Sequence, residues 1–197
     1  MVDLDVRCDC GTVRAVIRDA TPENTNRVVC ECGWCQRYAH LLERVDTMLD
    51  ERGGTEVFQI RPSSLELLAG QDRLECMHLT SGGARRWYAG CCRSPIANTL
   101  AKPGPPFVGV LACCVDWTQV AKEEALGPVR VRVNGVVPPA DRTRLRARRR
   151  DQFSMLGHYA PKFFGWWLRG EGKQIPFFDA AGQPIAEPER IRTEPVR

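Results

Sequence analysis

The sequence predicts a mainly β fold with some helix (α+β) and a helical C-terminal extension. Residues 12–18 alternate apolar and polar side chains, which is typical of a half-buried strand. Further short apolar segments are bounded by glycine, proline or polar turn residues, which favours several strands over a helical bundle. These strand candidates lie at 27–30, 55–61, 73–80, 85–88 and 107–115.

Two segments of the first 125 residues have a helical pattern. Apolar residues recur at helical spacing within 38–50, which predicts a helix there. Residues 62–70 begin with proline and end with glycine, the order expected at the two ends of a short helix. The sequence therefore predicts a two-turn helix over 62–70.

The character of the chain changes after about residue 126. Residues 129–133 alternate like a strand, 141–150 carry six arginines, and 153–168 are rich in aromatic side chains. We therefore divide the chain into a β domain over 1–125 and an arginine-rich, aromatic-rich helical extension over 126–197.

Composition limits the functions to be considered. No apolar run approaches the ~20 residues that span a bilayer, and the first residues lack the features of a secretory signal. Ten cysteines then indicate metal ligands and free thiols in a reducing compartment, so a cytoplasmic location is expected. The net charge is only +4, and 24 of the 28 basic residues are arginine.

The basic residues are interpreted as a solvated surface, so we expect neither a nucleic-acid nor a membrane partner. A weaker alternative takes the arginines of 142–150 with the aromatic cluster at 163–167 as a membrane-surface or nucleic-acid device. We favour docking of that cluster onto a neighbouring sheet or subunit, which makes a homodimer an expected partner arrangement.

Cys30, Cys32 and Cys35 form the strongest functional signal. A C-x-C-x-x-C turn can place three sulfurs on one face of a loop, each about 2.3 Å from a common zinc ion. Three unrelated buried thiols are the alternative. If zinc binds here, three protein ligands leave the fourth coordination position for water or a thiol.

Cys8 and Cys10 form a second group that needs partners from elsewhere in the chain. The nearest candidates are Cys91 and Cys92. Adjacent side chains diverge on an extended backbone, so we expect only one of these two to complete a tetrahedral site. The spacing leaves open which one it is, and the count of bound zinc is one or two ions.

The order of these groups resembles the glutathione-dependent formaldehyde-activating enzyme family, which includes centromere protein V. The resemblance lies in Cys-x-Cys-Gly at 8–11, Cys-x-Cys-x-x-Cys-Gln-Arg at 30–37, and an aromatic-rich strand followed by a cysteine pair and Ser-Pro-Ile-x-Asn at 94–98. It extends from about residue 8 to about residue 115. Ala89 stands where the family has a cysteine, and Arg93 stands where it has a glycine.

The resemblance implies a small zinc-binding fold of twisted antiparallel sheets, similar to that of methionine-R-sulfoxide reductase B. It implies a structural tetrathiolate zinc site that includes Cys8, Cys10 and Cys92. It also implies a catalytic zinc on the cysteines of 30–35, and the short helix ending in glycine fits 62–70.

Two functions follow from this comparison. The first is a carbon-sulfur lyase-like enzyme in which zinc activates a thiol such as glutathione and the sulfur adds to a small aldehyde. Arg37 would then bind a carboxylate of glutathione. The alternative is a catalytically inactive module in which zinc shapes a surface that binds a protein or small ligand.

Five further residues are candidates for a site. Cys113 and Cys114 lie in an apolar segment and are predicted to belong to the core. Cys76 and His78 share one face of a predicted strand, where core packing is favoured over a metal pair. His40 follows the three-cysteine turn, and a surface histidine is favoured over a ligand or general base.

Overall fold

The fold is mainly β, as the sequence predicts, with two β-sheets among the described residues. The computed structural model describes residues 1–80, 83–134, 142–192 and 194–195, with the backbone alone for 142–152, 154 and 155. The strands are β1 (Val2–Arg7), β2 (Arg14–Ala20), β3 (Asn26–Cys30), β4 (Thr55–Ile60), β5 (Leu65–Ala69), β6 (Leu74–His78), β7 (Arg85–Ala89), β8 (Ser94–Thr99), β9 (Val108–Leu111), β10 (Val131–Val133) and β11 (Pro188–Arg190).

The smaller sheet has three antiparallel strands in the order β1-β2-β5. The predicted helix over 62–70 is wrong, because only Pro62–Ser64 forms a 3-10 turn and the chain then continues as β5. Leu65 is buried and Leu67 half-buried, while Glu66 and Leu68 are exposed, which is the period of a strand. Pairing of Leu65 with Ile17 of β2 extends this sheet by one strand.

The larger sheet has eight strands in the order β10-β3-β4-β9-β8-β7-β6-β11. Its six central strands are antiparallel neighbours, whereas β10 and β11 add in parallel at the two edges. Both edge strands come from the segment after residue 126. The boundary of the two predicted domains at 125 stays a prediction.

The helices are α1 (Gly33–Leu41), α2 (Val45–Met48), α3 (Lys122–Leu126) and α4 (Arg142–Leu168). The single helix predicted over 38–50 is wrong, because the chain forms α1 and α2 instead. Glu43 between them has a φ of 58°, which interrupts a right-handed helix. α1 also begins earlier than predicted, since the Sγ of Cys32 accepts a hydrogen bond from the N–H of Cys35 at its start.

α4 confirms the prediction of a helix near the C-terminus. It joins the segments 141–150 and 153–168 of the sequence analysis into one helix of 27 residues, although residue 141 lies outside the described residues. The side chains of the arginines in 142–150 are likewise outside the described part. No helix in that part combines the length and the apolarity needed to cross a membrane.

The core lies between the two sheets, where Leu4 and Ile17 of the smaller sheet join Phe58 and Trp87 of the larger one in a single apolar cluster. The indole of Trp87 stacks on Phe177, with 4.8 Å between ring centroids. A second cluster packs α1 and α2 on the same large sheet, through residues Tyr38, Ala39, Leu42, Met48, Met77, Leu79 and Tyr88. This packing fixes the position of α1, which begins at the three-cysteine turn.

Candidate metal centres

All ten cysteines are free thiols, and seven of them form two groups. Within each group the Sγ atoms lie within 4.8 Å of one another. The first group contains Cys8, Cys10, Cys91 and Cys92, and the second contains Cys30, Cys32 and Cys35. Each group could therefore hold a metal ion.

The spacing of the first group fits a tetrahedral thiolate site. Four sulfurs at about 2.3 Å from one zinc ion lie about 3.8 Å from each other. The Sγ atoms of Cys8 and Cys10 are 3.5 Å apart, and the Sγ of Cys91 lies 3.9 Å from Cys8 and 3.3 Å from Cys10. The Sγ of Cys92 lies 3.9 Å from that of Cys91.

The structure brings both Cys91 and Cys92 to this group, whereas the sequence predicted that only one of them would join it. The backbone between β7 and β8 is a tight turn and not extended, since the N–H of Arg93 donates to the carbonyl of Ala89 at 2.7 Å. Arg93 itself has a φ of 57°, the left-handed region that favours glycine. In such a turn, adjacent side chains can converge on the same point.

Hydrogen bonds hold the first group in place. The N–H of Val13 donates to the Sγ of Cys8 at 3.2 Å, and the N–H of Asp9 donates to the Oγ of Ser94 at 3.0 Å. Arg44 links the two halves, because its guanidinium pairs with Asp9 at 2.6 Å and donates to the carbonyl of Cys92. The sequence gives no signal for Arg44, which is distant from both cysteine pairs in the chain.

The second group is built at the junction of β3 and α1. Cys30 is the last residue of β3, Cys32 caps α1, and Cys35 lies in the first turn of α1. The N–H of Cys35 donates to the Sγ of Cys32 at 3.3 Å. The N-terminus of a helix favours negative charge, so this position stabilises a thiolate at Cys32.

Arg86 of β7 is the buried cation beside the second group. Its Nη1 and Nη2 atoms lie 3.8 Å and 3.9 Å from the Sγ of Cys35, and its guanidinium lies 5.0 Å from the ring centroid of Tyr38. Arg86 is only 7% exposed, and it pairs with no carboxylate in the described part of the chain. A buried guanidinium needs an anionic neighbour, and the cysteine group provides one.

β10 brings a further residue to the second group. Asn134 follows β10, and its Nδ2 donates to the Sγ of Cys30 at 3.5 Å. Arg132 holds this edge strand through ion pairs with Glu31 at 2.5 Å and with Asp50 at 2.7 Å. Neither Arg86 nor Asn134 carries a sequence signal for this role, because their proximity to the cysteines depends on strand pairing.

The three cysteines of the second group differ in the direction of their pKa shifts. Hydrogen bonds from the Cys30 and Cys35 thiols and from the Cys35 N–H, with the nearby charge of Arg86, lower the pKa of Cys32. The pKa of Cys35 is raised well above the usual range by the hydrogen bonds of Cys35 with Cys30 and Cys32 and by its burial. The pKa of Cys30 is raised, mainly by its hydrogen bond with Cys32. A divalent cation would relieve this competition between thiolates.

The other candidate residues lie outside both groups. Arg37 is half-buried on α1, and its proposed role with glutathione stays a prediction. His40 is exposed near the C-terminal end of α1. Cys76 packs in the core, where burial raises its pKa to about 12. Within the described residues, no third metal-ligating side chain completes a site with Cys76 and His78.

Cys113 and Cys114 behave differently from each other. Cys114 is buried and donates to the carbonyls of Leu111 at 3.0 Å and Ile96 at 3.4 Å, as expected of a core residue. Cys113 is exposed, so the prediction that it belongs to the core is wrong. β9 ends before it, and a 3-10 turn directs it to a hollow of about 620 Å³ beside Cys8 and Cys10.

The fold and these two groups define a mainly β protein with two cysteine sites that could hold metal ions. The chain belongs to the family of unknown function DUF6151, whose profile matches residues 2–189. No curated protein matches it. A crystal structure of a Rhodobacter sphaeroides protein is similar to 66% of this chain over 99% of its own length, at 19% sequence identity and a TM-score of 0.43.

Proposed function

We propose that the protein is a zinc-dependent carbon-sulfur lyase-like enzyme that adds a thiol such as glutathione to a small aldehyde. The observation that carries the proposal is the three-thiol group at Cys30, Cys32 and Cys35. Among the described residues, no fourth His, Cys, Asp or Glu joins these sulfurs. A purely structural zinc ion normally has four protein ligands, whereas a catalytic one keeps a position open.

The two cysteine groups therefore differ in their proposed roles. The first group supplies four sulfurs and leaves no position for a substrate, so it would hold a structural ion. The second group supplies three sulfurs and would hold the catalytic ion. Both proposed ions are zinc because thiolate ligands in a tetrahedral arrangement favour zinc over the hard cations.

The proposed reaction is an addition without any change of oxidation state. When bound, zinc would lower the pKa of an incoming thiol and fix its sulfur beside the electrophile. The sulfur forms a bond to the aldehyde carbon, the carbonyl π electrons move to oxygen, and the proton lost from the thiol is returned to that oxygen. The product is a hemithioacetal, and the reverse reaction is the lyase direction.

Residues of the chain would position the ligands and adjust their charge. Three thiolates and one divalent cation carry a net charge of −1, which the buried guanidinium of Arg86 offsets at 3.8 Å from Cys35. The Nδ2 of Asn134 donates to Cys30 and fixes the direction of its sulfur. Arg37, which lies on α1 as Cys35 does, would bind a carboxylate of glutathione.

The test is the exchange of an aldehyde between its free form and its thiol adduct, followed by NMR with formaldehyde and glutathione. We expect the zinc-loaded protein to accelerate exchange beyond the rate in buffer. The variant Cys32→Ser should lose this acceleration, while Cys113→Ser, which changes a cysteine outside both groups, should keep it. Equal rates with and without protein would instead favour the inactive zinc-structured binding module.

A further inference from the structure

The outward face of α4 is apolar over four turns. Among the described side chains between residues 153 and 168, the large exposed ones are all hydrophobic: Phe153 (73% exposed), Leu156 (54%), Phe164 (57%), Trp167 (55%) and Leu168 (65%). Their spacing of 3, 8, 3 and 1 residues places them on one side of a helix. The other exposed residues described in this stretch are Gly157, Ala160 and Pro161.

The opposite face of the same helix carries Lys162, His158 and Tyr159, which contact the rest of the protein or each other. Lys162 donates from its Nζ to the carbonyl of Thr25 at 3.0 Å and lies 2.7 Å from the Nε2 of His158. Tyr159 packs edge-on against Trp166, with 6.1 Å between ring centroids. The helix is thus anchored to the protein through one face, and its apolar face has no partner in the described part of the chain.

The size and charge of this surface point to its partner. The five exposed side chains present on the order of 600 Å² of apolar area, which is at the upper limit of what monomers expose. The sequence of α4 contains seven basic residues and one carboxylate, a net charge of +6. A second copy of α4 would offer those seven basic residues a single carboxylate, whereas an anionic lipid surface offers many phosphates.

We propose that α4 docks on the surface of an anionic phospholipid bilayer, with Phe153, Leu156, Phe164, Trp167 and Leu168 entering the boundary between headgroups and acyl chains. A helix that combines exposed aromatic and leucine side chains with a run of arginines has the composition of such an interfacial anchor. Aliphatic Leu156 and Leu168 distinguish this surface from a platform for nucleic-acid bases, which is built from aromatic rings. This inference does not depend on the proposed enzyme activity.

The experiment is sedimentation of the full chain with vesicles of phosphatidylcholine alone and with added phosphatidylserine. The variant Phe164→Ser/Trp167→Ser removes two exposed rings. The matched control is Leu68→Ser, since Leu68 is an exposed leucine (51%) on β5, outside α4. Metal content and thermal unfolding of each variant confirm that the fold is intact.

We expect the protein to bind the anionic vesicles and to bind phosphatidylcholine more weakly. The double variant should bind at least about tenfold more weakly, because each lost ring removes a favourable transfer from water. The control should bind like the unchanged protein. Equal vesicle binding by the double variant would overturn the proposal. So would a dimer in solution that dissociates in the double variant. A loss of vesicle binding in the control variant would overturn it as well.

Discussion

The guanidinium of Arg86 lies 3.8 Å from the Sγ of Cys35, in a buried position between β7 and α1. Within the described residues this cation has no carboxylate partner, and its other neighbour is the aromatic face of Tyr38. The pair joins a strand in the middle of the chain to the three-cysteine turn. It places a fixed positive charge next to the ligand group that carries the proposed function.

Replacing Arg86 by methionine should weaken metal binding at the second group. The three thiolates of the second group would then lack the buried positive charge that offsets their negative charge. Loss of such a supporting residue lowers metal affinity by about 10- to 100-fold. Competition with a chromophoric chelator measures this affinity.

The matched control for that experiment is Arg85→Met, on the neighbouring position of the same strand. Adjacent residues of a strand point to opposite faces, so Arg85 does not face Cys35. Arg86→Lys retains the charge and should recover part of the affinity. An unchanged affinity in Arg86→Met would show that the guanidinium does not support the metal site.

Both vicinal cysteines should contribute to the first site. The variants Cys91→Ser and Cys92→Ser should each lower the metal content from two ions per chain to about one, and each should lower the melting temperature, because metal binding contributes to folding free energy. Mass spectrometry under native conditions counts the ions. Cys113→Ser is the control and should retain two. If only one of the two variants lost metal, the other cysteine would not be a ligand.

Arg93→Gly should stabilise the protein by about 0.5 to 1 kcal/mol, because a φ of 57° is strained for any residue with a Cβ. The variant also loses the ion pair of Arg93 with Glu43, whose side chains are 54% and 78% exposed. Such an exposed pair contributes little. Denaturant unfolding of the metal-loaded protein measures the change.

The opposite sign is expected for Arg14→Gly, because Arg14 is an exposed residue at the start of β2 and glycine weakens a strand by roughly 1 kcal/mol. If Arg93→Gly destabilised the protein as much as this control does, the left-handed turn at the cysteine pair would not be a source of strain.

Lys162 should make stability depend on pH in the alkaline range. Burial and the nearby charge of Arg130 lower the pKa of Lys162 from 10.5 to about 8. Between these two values the unfolded chain binds the proton and the folded chain does not, so the free energy of unfolding rises with pH. The effect should stay below about 2 kcal/mol because the side chain is only partly buried.

The measurement is the free energy of unfolding of the unchanged protein and of Lys162→Met at pH 7.5, 9 and 10.5. Ionisation of the thiols affects both proteins alike, so the difference between them isolates Lys162. We expect this difference to shift in favour of the unchanged protein as the pH rises. A constant difference would mean that Lys162 keeps its ordinary pKa in the folded state.

The sequence predicted the fold class and the three-cysteine group because these depend on local patterns, whereas the first group was assembled from two cysteine pairs distant in the chain. Alternation identified β2, and the close spacing of Cys30, Cys32 and Cys35 required no knowledge of distant contacts. The helix over 62–70 was wrong because proline and glycine also flank β5. The pairing of Leu65 with Ile17 of β2 makes this segment a strand, and the sequence alone does not show that long-range pairing.

The supporting residues of the two sites could not be predicted. Arg86, Asn134 and Arg44 reach the cysteines only because strands and helices distant in the chain pack together. The convergence of Cys91 and Cys92 depends on the left-handed backbone at Arg93, which the residue type does not suggest. The sequence favoured docking of the aromatic cluster of α4 over a membrane-surface role, because an aromatic-rich helix more often packs against a neighbour.

The anomalous scattering of crystals at the zinc absorption edge tests the central claim most directly. The account predicts a peak with the sulfurs of Cys30, Cys32 and Cys35 at about 2.3 Å and a fourth ligand that does not come from the protein. A fourth protein ligand on that ion would contradict the proposed reaction. A disulfide among these three cysteines, or the absence of any metal peak between them, would contradict the site itself.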